Sequence, residues 1–385
     1  MSKHDFPQEE FADRLARVRG AMAAAGLDWL VAVHPVSIHW LTGSEAKSYQ
    51  EFQCLLIGGN GEPLVVLTRQ GECHEFETDS VADQVIGWGG GEVEDPVAAF
   101  ARLASRLGLT RSRVGLEVPA YYLHPHHYLG LRGVLGEALI SEATDLIADL
   151  KLVKSDTEIS YIRRAAAIAD KALSDFAADL APGHTELALA GTVYASLLKN
   201  GSGIAASPIN LVSGERSAYS HGGPTSRILK DCDFINIEFG ATYRRYTSTI
   251  GRQYCLGTPT DRMTEIYAVV REAADAMIAT IRDGVAASAV HERARHIISR
   301  AGLERWRVHT SGYGLAPGFP PSWGEPLHMM GASRYVLRTG MVVTVEPPVF
   351  VASEGLGVRI IDNVLVTATG AELLSTASRD LVCIP

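Results

Sequence analysis

The sequence predicts an α+β protein built from two unequal parts. Short apolar runs alternate with amphipathic helical segments through residues 1–150, the pattern of a layered α/β domain. Residues 151–385 carry helical pairs on either side of one long pair of extended runs. The chain has 385 residues, 46% of them hydrophobic, which is enough for one large core or two moderate ones.

The first part opens with residues 8–26, where Phe11, Leu15, Val18 and Met22 recur at helical spacing behind early acidic residues, and Gly26 supplies the stop. Residues 27–34 read as a short buried strand. Two more strands, 54–58 and 63–68, flank a Gly-Gly-Asn-Gly-Glu turn. Segments 85–88, 98–107 and 113–117 continue the alternation, and 138–149 leads to a boundary. In the second part, Ser155 with Glu158 three residues later is a capping box that starts a helix over 156–180. A further helix covers 185–199. The stretch 233–252 reads as two extended runs with Gly240 in the connection, a hairpin signal. Residues 262–283 and 290–301 form the second helical pair, beginning after Pro259.

Composition excludes several functions. Charged residues are 21%, the net charge is -9 and no long basic run occurs, so a nucleic-acid partner is not expected. The five cysteines are scattered with no CxxC spacing, which fits a reducing cytoplasm and argues against a disulfide framework or zinc knuckle. The start of the chain has no apolar signal-peptide core, and no run of 18 apolar residues is present. Neither a signal peptide nor a membrane span is expected.

The chemistry-bearing feature is Glu238, a carboxylate inside an apolar strand-like run. A buried carboxylate requires a hydrogen-bond partner, a counter-charge or a metal. A purely structural pairing with an arginine is the alternative to a catalytic role.

The frame from Glu238 to Arg252, EFGATYRRYTSTIGR, resembles the creatinase, prolidase and aminopeptidase P superfamily. The resemblance extends to Trp40-Leu41-Thr42-Gly43, to the junction at 151–165, and to TVEPPVF around Glu346. It implies a small N-terminal creatinase/prolidase-type domain over 1–150 and a pita-bread catalytic domain over 151–385. The superfamily's metallopeptidases bind two metal ions through Asp, Asp, His, Glu and Glu. At those positions this chain has Glu238, Thr249, Tyr313, Glu346 and Ile361. Only two carboxylates remain, so no metal and no other cofactor is expected.

The stretch 311–325, SGYGLAPGFPPSWGE, resembles the metal-free ectoine hydrolase branch, as do Arg245-Tyr246, Glu238 and Gln53-Cys54. That resemblance implies opening of a small cyclic amidine, ectoine or 5-hydroxyectoine, to an acetylated diaminobutyrate. Glu238 would be nucleophile or general base, with Glu346 or His221 as proton donor. Arg359 would clamp the substrate carboxylate, with structural pairing to Glu238 or Glu346 as its rival role. Trp323 would wall the ring, and Tyr313, Glu325, His309 and Tyr49 would complete the substrate site. The alternatives are a metal-dependent Xaa-Pro dipeptidase, a creatinase-like amidinohydrolase, and a binding protein on a degenerate peptidase fold. The resemblance also implies a homodimer in which the N-terminal-domain loop 44–52, with aromatic Tyr49 and Phe52, closes the partner's site.

Overall fold

The computed structural model describes residues 3–45 and 48–385, so Ala46 and Lys47 of the 44–52 loop lie outside the described residues. The chain forms two compact units, Met1–Lys151 and Leu152–Pro385.

In the first unit, β1 (Trp29–Ala32), β2 (Cys54–Gly58), β3 (Val65–Arg69), β4 (Gln84–Trp88), β5 (Val114–Leu116) and β6 (Leu139–Glu142) make a mixed sheet in the order β4-β3-β2-β1-β5-β6. Alternation along each strand feeds two cores. Trp29 and Val31 point to the face covered by α4 (Pro96–Leu107) and α5 (Pro125–Leu135). Leu30 and Ala32 point to the face covered by α1 (Gln8–Ala24), α2 (Pro35–Thr42), α3 (Cys73–Asp79) and α6 (Thr144–Lys151). Strands buried on both faces read as continuous apolar runs, which is why they were legible. Helix α4 shows the local logic. Asp95 accepts from Val97 N–H at 2.9 Å, Pro sits in the first turn, and Gly108 closes the helix at φ 76°.

The aromatic residues of the 44–52 loop are not surface features. Phe52 is core, and Tyr49 is buried edge-on to Tyr122 with ring centroids 5.9 Å apart. Their own unit covers these rings, so they offer no exposed aromatic patch.

The second unit begins with α7 (Asp156–Asp179), whose Ser155–Glu158 capping box is formed as the sequence implied. Helix α8 (Glu186–Lys199) packs beside it, followed by β7 (Asn210–Ser213), β8 (Phe234–Tyr243) and β9 (Tyr246–Leu256). Helices α9 (Asp261–Thr280) and α10 (Ala287–Arg300) form the second pair. Then come β10 (Tyr313–Phe319), β11 (Ser322–His328), β12 (Val342–Val345), β13 (Val349–Val351), β14 (Leu356–Val358), β15 (Asp362–Val366), β16 (Ala371–Leu373) and β17 (Val382–Ile384). The main sheet runs β16-β15-β12-β10-β9-β8-β7, with β11 on β10 and β17 on β9; β13 and β14 pair separately.

The hairpin at 233–252 exists, but its turn is not at Gly240. Strand β8 runs through that residue, with Gly240 opposite Thr249, and the chain reverses at Arg244 and Arg245, at φ 51° and 67°. Gly240 is glycine for a different reason. A Cβ there would lie 2.9 Å from Cζ3 of Trp323, so the indole rests directly on the strand backbone. The β10–β11 hairpin that carries this tryptophan had no strand signal strong enough to be read from the sequence.

Candidate active site

Strand period sets the site. Along β8, Ile235, Ile237, Phe239 and Ala241 enter the core under α7 and α8. The intervening Asn236, Glu238 and Gly240 must therefore face the opposite side of the sheet. That face carries a cavity of about 210 Å³ whose lining includes Glu238, His221, Tyr313, Trp323, Asn210 and His328. Of the residues expected from sequence, Glu238, His221, Tyr313 and Trp323 are thus brought together.

Glu238 is buried, and its Oε2 is doubly engaged. Asn210 Nδ2 donates to it at 2.9 Å and the Arg359 guanidinium forms an ion pair with it. Its Oε1 takes no hydrogen bond among the described residues and is left for the cavity that Glu238 lines. Arg359 lies on the segment between β14 and β15 and is 1% exposed. Its Nη2 also donates to Ser220 O at 2.6 Å, and Asn236 Nδ2 holds its carbonyl at 3.0 Å. The guanidinium is committed to Glu238 rather than lining the cavity. The rival role foreseen for Arg359 is therefore the one adopted, because the buried carboxylate needs its counter-charge.

Glu346 follows β12 and is fully buried, with Oε1 unsatisfied by hydrogen bonds. Burial, reinforced by repulsion from Glu238 and opposed by the Arg359 charge, pushes its carboxyl well above the usual range. His309 Nδ1 lies 3.6 Å from Glu346 Oε1 and 3.1 Å from the Thr310 carbonyl, to which it is placed to donate. Burial and the nearby Arg359 charge pull His309 down to about 4, leaving the imidazole neutral. His221, on an exposed loop, packs its ring 5.3 Å from that of His309. Its pKa is also lowered, by burial first and Arg359 second.

Tyr313 and Trp323 form a pair in which the indole Nε1 donates to the phenol oxygen at 2.9 Å. Glu325 is not among the cavity-lining residues. Its Oε2 accepts from Lys154 Nζ at 2.5 Å, in an ion pair whose side chains are both 2% exposed. Lys154 lies within the junction motif at 151–165. Its burial is decided by the β11 contact, which no local pattern announces. Tyr49 belongs to the other compact unit. Sequence reasoning also missed Asn210 and His328, ordinary polar residues that carry no spacing signal.

The residues present do not fit a dinuclear metal centre. Thr249 is bound into a network in which Asn363 donates to its hydroxyl at 2.8 Å and accepts its backbone N–H at 2.6 Å. Ile361 is a buried hydrocarbon packed on Gly251, and Tyr313 is a phenol whose pKa burial raises. Glu238 already has its counter-ion. Among the described residues no group of three or more His, Cys, Asp or Glu could hold a metal ion.

Comparison with known proteins places this architecture. Residues 14–153 match the creatinase/prolidase N-terminal domain and residues 160–368 match metallopeptidase family M24. The chain is 30% identical over the full length of both proteins to the probable dipeptidase PepE of Mycobacterium tuberculosis. Among solved structures it is similar to the dipeptidase PepE from Mycobacterium ulcerans, at 27% identity, 99% coverage of each chain and TM-score 0.86. It is also similar to the Xaa-Pro dipeptidase from Bacillus anthracis, at 25% identity, TM-score 0.85, and coverage of 97% of this chain and 100% of that one. The full-length match and the two matched domains show that the chain belongs to metallopeptidase family M24, a hydrolase family, as a two-domain member with a creatinase/prolidase-type N-terminal domain and a pita-bread domain.

Proposed function

We propose that this chain is a metal-independent hydrolase of a C–N bond in a small amidine-type substrate, with ectoine or 5-hydroxyectoine as the leading candidates. The observation that carries the reading is the Arg359–Glu238 ion pair, a side-chain cation held against the carboxylate that the sequence resemblance aligns with a metal-ligand position. Glu238 lines the cavity, its Oε2 carries both contacts to Asn210 and Arg359, and its carboxylate serves as nucleophile or as base toward water. Of the two proton-donor candidates, Glu346 is shifted upward by burial and by Glu238 whereas His221 is shifted downward, which favours Glu346 as the acid for the departing nitrogen. A planar cationic amidinium is complementary to a carboxylate edge beside an indole face.

The names of the relatives favour a second reading, a dipeptidase acting on Xaa-Pro or similar bonds. The two readings part on the donor set. One experiment separates them: the purified protein is assayed on ectoine, 5-hydroxyectoine, creatine and Gly-Pro before and after chelation, beside elemental analysis. Ectoine turnover that survives chelation, with well under one transition metal per chain, is the expected result. Dipeptide cleavage abolished by chelator, with about two metals per active chain, would overturn it.

A further inference from the structure

We propose that Tyr313 is the electrophilic catalyst of this site, its phenol O–H positioned by Trp323 to meet the heteroatom that gains an electron pair when the scissile carbon is attacked. The inference rests on the hydrolase reading above and deepens it. A phenol has one proton to give and an oxygen that accepts. Here the oxygen accepts the Trp323 indole N–H at 2.9 Å, so the acceptor side is used. The proton has no acceptor among the described residues, although Tyr313 lines the cavity with Glu238 and His221. The pair is rigidly held. Tyr313 N–H donates to Thr344 Oγ1 at 3.0 Å, and Trp323 lies on the backbone of Gly240, where a side chain would collide with it at 2.9 Å. Burial, with Glu346 and Glu238 nearby, raises the phenol pKa and keeps the proton in place.

The chemistry explains why such a donor would act on the transition state. An amidinium nitrogen has no lone pair to accept a hydrogen bond. When the nucleophile adds, the C–N π pair moves onto that nitrogen, which becomes tetrahedral and accepts the Tyr313 O–H. Collapse returns the pair to the carbon, the bond to the leaving nitrogen breaks, and that nitrogen takes the proton of the acid. Tyr313 keeps its own proton throughout. An interaction made only at this stage raises kcat and leaves KM nearly unchanged.

The test is Tyr313→Phe, assayed on whichever of ectoine, creatine or Gly-Pro the wild type hydrolyses, so that the role of Tyr313 is scored separately from the substrate assignment. The expected result is a fall in kcat of about 10²–10³-fold, the loss typical of one oxyanion-hole donor, with KM within about twofold. Trp323→Phe should lower kcat less, and the double variant should equal Y313F. A Y313F enzyme with intact kcat, or with raised KM and intact kcat, would overturn the proposal. A second readout needs no turnover: the Trp323 indole ¹⁵N–H resonance should shift between wild type and Y313F, and an unchanged resonance would refute the positioning.

Discussion

Replacing Glu238 by Gln tests both its chemistry and its ion pair. The exchange keeps volume and the Asn210 contact region while removing the charge that balances Arg359. Arg359 is 1% exposed, with Nε already unsatisfied, so its guanidinium would be left buried without a counter-ion. Breaking such a pair from one side costs about 3–5 kcal/mol. For a unit of this size that is a drop in Tm of roughly 6–20 °C. Turnover should fall at least ~100-fold, the lower range for a positioned acid–base group. The assay is a thermal melt beside steady-state kinetics for wild type, E238Q, R359M and E238Q/R359M. The double variant should recover most of the stability, because both charges leave together, and none of the activity. An E238Q protein as stable as wild type would refute the ion-pair argument. One that retains turnover would remove Glu238 from the mechanism.

Three further outcomes are expected. His309 is lowered to about 4, so unfolding releases it to its ordinary value of 6.5 and acid destabilises the fold as pH falls through that window. Glu346 is shifted upward, so its contribution has the opposite sign: it is fully present below about 4.5 and lost as pH rises. The two oppose each other between about 4.5 and 6.5, and His309→Gln should gain about 3 kcal/mol relative to wild type between pH 7 and 4 in paired denaturant titrations. Gly240→Ala should displace the indole that its Cβ would meet at 2.9 Å, lowering stability by about 1–3 kcal/mol and shifting the Trp323 N–H resonance. Lys154→Met should lower the melting temperature by removing the ammonium that donates to buried Glu325, and K154M/E325L should recover much of that loss.

The sequence by itself determined the elements whose signal is local. Apolar periodicity and caps marked α1, α7 and the two-faced strands of the first unit, because each must bury one face and satisfy its own ends. The two-domain family was likewise readable, since its motifs are contiguous in the chain. What the tertiary structure decided was who meets whom. Gly240 looked like a turn because glycine signals both turns and close approach, and only the Trp323 ring shows which applies. Glu325 looked like a substrate contact until Lys154, 171 residues away, was found beside it. Arg359 was an open choice between substrate and protein until Glu238 took it. Each depends on side chains brought together across the sheet, where desolvation makes a partner obligatory and no local pattern names which partner it will be.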